Sequence, residues 1–371
     1  MSIVLRTVTC ERNRMKETFT TALLSWYDQN KRDLPWRDRD NAYYTWISEI
    51  MLQQTRVETV KPYFNRFITE LPDVDALASC PDEKLLKLWE GLGYYSRARN
   101  LKKAAAVVEE QYAGELPADY ERLLELPGIG PYTAGAVASI AFHIPEPAVD
   151  GNVVRVITRY TADRRDIRSP RVAADIREAL KQVIPADDPG TFNQALMELG
   201  ALVCVPSGAA RCTQCPVREG CRAREEGTAA EIPFKSPPQK RKKEKKTVLG
   251  LRDGRHTLLH RRPENGLLAG LYEFPCMEGH RTGKEVLEYV EKELHLTAVQ
   301  IHPLPDAKHI FSHIEWEMKG YMILTEALHN AECYLAVEPE RTKDEYPIPA
   351  AYRAYAEALQ IHIGMQKASE G

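Results

Sequence analysis

Several things are scarce in this 371-residue sequence. No apolar run approaches the roughly 18 residues that a membrane-spanning helix requires, which excludes a helical bilayer protein. The opening stretch, MSIVLRTVTCERNRMKETF, lacks the basic-then-apolar order and small-residue cleavage site of a secretory leader. An intracellular protein is therefore expected. Charge of one sign is scarce too. With 50 basic and 53 acidic residues the net charge is −3, so bulk positive charge does not hold nucleic acid, and any such site must rest on local geometry. Cysteine, at eight residues, is too thin for the evenly crosslinked scaffold of a small secreted domain. No internal repeat is visible.

What is present is unevenly spread. Residues 1–230 hold 30 basic and 32 acidic side chains, 231–246 hold 7 and 2, and 247–371 hold 13 and 19. The middle block lies in EEGTAAEIPFKSPPQKRKKEKKT, which has three prolines, a lysine run and little apolar periodicity. It reads as a basic linker over 226–247, a solvated tether or a non-specific aid to binding nucleic acid. Before it, helical periodicity dominates. Phe19, Leu23 and Trp26 share one helix face, and Ile47, Ile50, Met51 and Gln54 have the spacing of another. DEKLLKLWEGLGYYSRARNLKKAAAVVEEQY reads as two helices broken at Gly91 and Gly93, and RVAADIREALKQVI and FNQALMELGALVC as two more. Residues 1–225 are thus expected to be all-α. After the linker, KTVLGLRDGRHTLLHRR reads as a strand, an Asp-Gly turn and a strand, and HIFSHIEWEMKGYMILTEA as two strands around Lys319-Gly320. Helices near Lys284–Leu294 and Pro349–Gln360 make residues 248–371 an α+β domain.

Three local features carry chemistry. In LPGIGPYTAGAV, Gly128 and Gly130 allow positive φ and close backbone approach, and Pro131 sits where a helix starts. Apolar residues on both sides suggest a helix–hairpin–helix, whose backbone N–H groups can hold a phosphate without a cationic side chain. An ordinary inter-helix turn has the same letters. Cys204, Cys212, Cys215 and Cys221 place four thiols in 18 residues, a donor set for tetrahedral zinc or an iron–sulfur cluster. Glu49 lies in the apolar segment WISEIMLQQT, where desolvation should raise its pKa to suit a general acid, unless it marks the polar face of an amphipathic helix. Asp150, in PAVDGNVVRVITRY, is placed as a helix N-cap, a position that also favours the ionised form. One carboxyl kept protonated and one kept charged is the pairing used to break glycosidic bonds.

Together, DLPWR, SEIMLQQT, WEGLGYYSRARNL, LPGIGPYTAGAV, PAVDGNVVR, the cysteine cluster and FSH beyond the linker closely resemble the MutY-type adenine DNA glycosylases of the helix–hairpin–helix superfamily. The matching stretches run from Asp33 to His313. The resemblance implies a multi-domain fold: an all-α helix–hairpin–helix glycosylase domain (six-helix barrel and iron–sulfur subdomains) with an iron–sulfur cluster loop at 204–221, and a C-terminal α+β Nudix-like domain. The implied activity is removal of adenine mispaired with 8-oxoguanine, or with guanine, from duplex DNA. A monomer is expected, cytoplasmic and nucleoid-associated. Glu49 matches the acid that protonates adenine N7. Asp150 matches the carboxylate that stabilises the oxocarbenium-like sugar or bonds to it transiently. Tyr132 and Asn152 match residues that position this network. Trp36, Arg37 and Gln194 match the pocket for flipped adenine, with Arg32 among the binding positions. Gln54 and Tyr94 match side chains that wedge into the duplex, with Leu52, Thr55 and Leu92 nearby.

The resemblance further implies a 4Fe–4S cluster on Cys204, Cys212, Cys215 and Cys221. Seven residues, VPSGAAR, separate the first two where the common bacterial pattern has six, and a flexible loop is expected to absorb the extra one. Arg211 and Arg218 are candidates for phosphate contact there. Phe311, Ser312 and His313 match residues that read 8-oxoguanine. Relatives that also cut the strand place a nucleophilic lysine where this chain has Tyr132, so a monofunctional glycosylase is expected. The nearest stretch to the R-E-x-x-E-E helix of a Nudix hydrolase, EYVEKEL, has Glu288, Tyr289 and Lys292 at three of its positions, so the domain is expected to read rather than hydrolyse.

Overall fold

The computed structural model describes residues 18–37, 41–206, 210–237 and 240–364. They form two units. The first takes the described residues before Cys80 together with Asn100–Pro237, and the second takes Cys80–Arg99 and the described residues from 240 on.

The first unit is helical: α1 (18–30), α2 (Ala42–Leu52), α3 (Val57–Glu70) and α4 (Val74–Ser79). A helix α5 (Asp82–Leu88) falls in the second unit, and most of α6 (Ser96–Tyr112) belongs to the first. Then follow α7 (Tyr120–Glu125), α8 (Pro131–Phe142), α9 (Gly151–Thr161), α10 (Pro170–Lys181), α11 (Pro189–Leu202) and α12 (Arg222–Glu225). Short polar side chains start several of them: Asn41, Asp119, Asp150 and Asp188 each accept from a backbone N–H of the first turn. Pro131 begins α8, where its missing N–H costs nothing. Helix α8 is apolar nearly all round and buried from Thr133 to Ser139, with α2, α7 and α11 packed on it. Gly135 leaves no room for a Cβ against the carbonyl of Pro147, so the chain leading to Asp150 lies directly on α8. On α1 the core face is Phe19, Leu23 and Tyr27, with Trp26 only partly buried, because steps of four track the buried stripe along this helix.

The second unit is a seven-stranded sheet: β1 (Lys242–Arg252), β2 (Thr257–Arg261), β3 (Tyr272–Glu273), β4 (Cys276–Glu278), β5 (Ala298–Ile310), β6 (Ile314–Thr325) and β7 (Tyr334–Val337). The order is β3-β2-β1-β6-β5, with β4 on β1 and β7 on β2, and only β1–β6 is parallel. Helix α13 (Gly283–Lys292), started by a Thr282–Glu285 capping box, packs Val286 and Val290 with Leu249, Leu251 and Ile323. Helix α14 (Arg353–Ala358) covers the other face through Tyr355 and Ala356, which meet Val248, Trp316 and Met318. Covered on both faces, β1 is buried from Thr247 to Leu251.

Three expectations are corrected here. The stretch 226–247, read as a tether, enters the sheet at Lys242. Its lysines pair with acids across the strands, Lys243 with Glu317 at 2.8 Å and Lys246 with Glu278 at 2.9 Å, so sheet pairing overrides the charge run. Strand β6 runs straight through Lys319-Gly320, and the reversal lies at Phe311–His313. Gly320 is there because the ring of Tyr355 occupies the space of a Cβ. Strand β5 extends back to Ala298 despite Pro303 and Pro305, which an edge strand tolerates.

Candidate active site and cysteine centre

Packing of α2 on α8 brings Glu49 and Tyr132 together, and the tyrosine hydroxyl donates to the Glu49 carboxylate. Glu49 is 6% exposed. Burial pushes its pKa up to about 7, the Asp150 charge adds to the rise, and the Tyr132 hydrogen bond and Arg37 oppose it. The Tyr132 hydroxyl is itself held far above its ordinary pKa by burial, so it remains a donor. Asp150 caps α9, with Oδ1 accepting from Val153 N at 2.8 Å and Oδ2 from Asn152 Nδ2 at 2.7 Å. Burial raises its pKa as well, and these hydrogen bonds resist the rise. Asn152 Oδ1 in turn accepts from Arg155 Nη2 at 2.8 Å, which sets the amide with its N–H toward Asp150. Arg155 is anchored by the carbonyls of Gly200 (2.8 Å) and Cys204 (2.6 Å). Asn193, fully buried, accepts from Ala148 N and donates to Glu146 O, fixing the approach to Asp150.

Glu49, Tyr132, Asp150 and Asn152 line one cavity of about 700 Å³, together with Arg32, Trp36, Arg37, Leu52, Gln54, Thr55 and Gln194. Trp36 is buried edge-on to Phe64, and Gln194 accepts from the Tyr27 hydroxyl. The cavity wall also holds a residue that the sequence reading missed. Glu198, 1% exposed, accepts from Arg32 Nε at 2.8 Å and from Arg37 Nη2 at 2.9 Å. Burial alone would raise its pKa, but the two guanidiniums hold it at about 2. The signal was the one that marked Glu49, a lone carboxylate inside an apolar helix.

Gln54 stands at this cavity, and the other positions lie elsewhere. Helix α2 ends at Leu52, so Gln54 is not on its face but beyond it, exposed, at φ 60°. Tyr94 is likewise left-handed, at φ 49°, and 48% exposed. Leu92 is buried, 6% exposed, so its side chain is not presented with that of Tyr94. In the second unit, Phe311, Ser312 and His313 form the β5–β6 turn, with Ser312 and His313 exposed and Phe311 wedged between His309 and Trp316. The Tyr94 hydroxyl lies 3.3 Å from Ser312 Oγ. In the α7–α8 turn only Gly128 has positive φ (79°), and its missing Cβ would meet Asn100 Cβ at 2.7 Å. Gly130 is extended, and nothing lies within 4 Å of where its Cβ would be.

Cys204, Cys212, Cys215 and Cys221 line a common cavity with Val156, Tyr160, Leu199 and Val217. Arg159 Nη1 donates to Cys204 Sγ at 3.3 Å. A 3₁₀ turn over Cys212–Gln214 and the N-cap position of Cys221 place three of the thiols. Among the described residues, no three His, Cys, Asp or Glu side chains converge closely enough for a single metal ion. Four thiols lining one cavity are a donor set that suits either a tetrahedral zinc ion or an iron–sulfur cluster. Ser207–Ala209, in the segment carrying the extra residue, lie outside the described residues. Arg218 is turned onto the Thr213 carbonyl at 3.0 Å. No helix among the described residues is long and apolar enough to cross a membrane.

Comparison with known proteins places both units. Residues 47–182 match the HhH-GPD superfamily of base excision DNA repair proteins, and residues 247–358 match the NUDIX domain. The chain is 35% identical to the adenine DNA glycosylase of Rattus norvegicus over 93% of its own length and 78% of the relative's. It is 35% identical to that of Homo sapiens over 94% and 74%. Its fold matches a thermostable thymine-DNA glycosylase with TM-score 0.53 and 29% identity, over 58% of this chain and 99% of the other. With a third of its residues shared along nearly its whole length, the chain belongs to the adenine DNA glycosylases of base excision DNA repair.

Proposed function

We propose that this adenine DNA glycosylase acts on adenine opposite 8-oxoguanine, or opposite guanine, and releases it by hydrolysis without cutting the strand. The reading is carried by one observation, a buried Glu49 and a hydrogen-bonded Asp150 lining a single cavity. The glycosidic bond is unreachable within the base stack, so adenine is flipped out of it. Trp36, Arg37 and Gln194 receive the base, with Arg32 and Arg37 held in place by Glu198. Neutral Glu49 gives its proton to adenine N7, the C–N bond breaks, and its electron pair leaves with the base. The Asp150 carboxylate faces the cationic sugar that remains. Water then adds, and its proton passes to the Glu49 carboxylate. Tyr132 orients Glu49, and Asn152 orients Asp150. No lysine stands at position 132, so no Schiff base forms there.

In the same reading, residues 1–225 hold the catalytic residues, and the segment up to Lys242, where β1 begins, joins them to a C-terminal reader domain. Gln54 and Tyr94 wedge into the duplex, and Phe311, Ser312 and His313 read the base opposite the target. The N–H groups of the Gly128–Gly130 turn hold a phosphate. Cys204, Cys212, Cys215 and Cys221 would hold a 4Fe–4S cluster, supplying a rigid support for the loop they anchor rather than a reacting group. Glu49→Gln tests the mechanism in single-turnover release of adenine from an 8-oxoguanine:adenine duplex, with alkali revealing the abasic sites. A loss of about 100-fold or more is expected, and a near-parental rate would overturn the assignment. Borohydride trapping of enzyme on DNA as the main product would overturn the monofunctional reading.

A further inference from the structure

The segment Cys80–Arg99 belongs structurally with residues from 240 on, although the chain between them folds into the other unit. One side chain ties its loop down. Glu90, 2% exposed, accepts from Ile348 N at 2.6 Å through Oε1. Its Oε2 accepts from Gly364 N at 2.8 Å and from Lys87 Nζ at 2.7 Å. The same ammonium donates to the Thr342 carbonyl at 2.6 Å. A buried carboxylate is stable only with its donors in place, and two of these donors are backbone groups of the C-terminal segment. Four residues further on stands Tyr94, exposed and left-handed. That backbone is strained for a residue with a side chain and persists only where its surroundings fix it. The loop is closed from within by Trp89 Nε1 on Gly93 O (3.1 Å) and by Arg97 Nη2 on the carbonyls of Leu92 and Gly93. Glu90 fastens this closed loop to the C-terminal segment.

We propose that Glu90 is a positioning residue for Tyr94, and that recognition of the mispair depends on this clamp. The inference rests on the reading of Tyr94 as the duplex wedge. It makes the C-terminal segment a contributor to recognition through residues that need never touch DNA.

The test uses the full chain with Glu90→Ala, Glu90→Gln, Tyr94→Ala and the double variant Glu90→Ala/Tyr94→Ala. Three quantities are measured: hydrogen exchange of residues 89–95 in the free protein, affinity for a duplex pairing 8-oxoguanine with 2′-fluoro-2′-deoxyadenosine, and the single-turnover rate at saturating enzyme. Glu90→Ala should speed exchange of the loop by about tenfold or more. It should weaken duplex affinity about 5- to 10-fold, as Tyr94→Ala does, and leave the saturated rate within about threefold. The double variant should bind no more weakly than Tyr94→Ala, because both changes remove one interaction. Glu90→Gln, which keeps one acceptor, should fall between parent and alanine variant, and it supplies the same comparison if the alanine variant folds poorly. Unchanged exchange, or affinity losses that add, would overturn the clamp while leaving the wedge standing. Parental affinity in Tyr94→Ala would overturn the wedge and the inference with it.

Discussion

At the scale of single residues, the chemistry turns on two carboxyls with different company. Glu49 has one hydrogen-bond donor and deep burial, whereas Asp150 has backbone and side-chain donors. With its pKa at about 7, Glu49 is neutral below that pH and ionised above it. The adenine-release rate should therefore fall as pH rises through about 7, measured in single turnover from pH 5.5 to 9. A flat alkaline limb would contradict the role. The same shift bears on stability. In the unfolded chain Glu49 ionises near 4.5, so the folded state bears a penalty that grows from about pH 4.5 to 7 and levels off above. The full penalty is on the order of 3 kcal/mol. Glu49→Gln should thus stabilise the fold at pH 8 and gain little at pH 4.5, compared by denaturant midpoints. The sequence offered Glu49 through its apolar neighbours, and the same signal at Glu198 was overlooked. Only the fold could show Arg32 and Arg37, five residues apart in sequence, converging on that one carboxylate.

At the scale of elements, the α7–α8 turn separates two uses of glycine. Gly128 is needed by the fold, with φ at 79° and Asn100 where a side chain would go. Gly130 has an ordinary extended backbone and open space. Gly128→Ala should destabilise the protein by more than about 1 kcal/mol. Gly130→Ala should melt like the parent and still bind duplex more weakly, since the methyl stands where a phosphate would approach. Calorimetry and duplex titration separate the two. Equal melting points for both variants would remove the distinction. Helices α2, α5, α6, α8, α10 and α11 were legible in the sequence from apolar residues at helical spacing and from the Gly and Pro residues that bound several of them, although α5, α8 and α10 lack the side-chain cap that α2 and α11 carry. The sheet was less so. Strand β1 was obscured by its lysines, whose acidic partners come from β4 and β6. Strand β5 was obscured by two prolines, and β6 by a glycine whose reason is the ring of Tyr355.

At the scale of the whole molecule, the cysteine cavity is joined to the active site through Cys204, whose carbonyl holds Arg155 and, through it, Asn152. Purified protein should be brown, absorb near 400 nm and carry iron and acid-labile sulfide. Cys212→Ser should lose iron and lower both melting temperature and duplex affinity. A colourless protein carrying zinc would sink the cluster. The sequence by itself determined the chemical inventory: which carboxyls sit in apolar helices, which thiols are close in the chain, and where helices begin. Those are local facts, set by propensity, capping and spacing. The tertiary structure decided which of them meet. Glu49 and Asp150 are far apart in sequence and share a cavity because α2 packs on α8, α8 on α11, and α11 on α9, the helix that Asp150 caps. Glu90 reached its partners only when residues beyond 340 folded against its loop. Pairings of that kind depend on long-range packing, which no window of sequence contains.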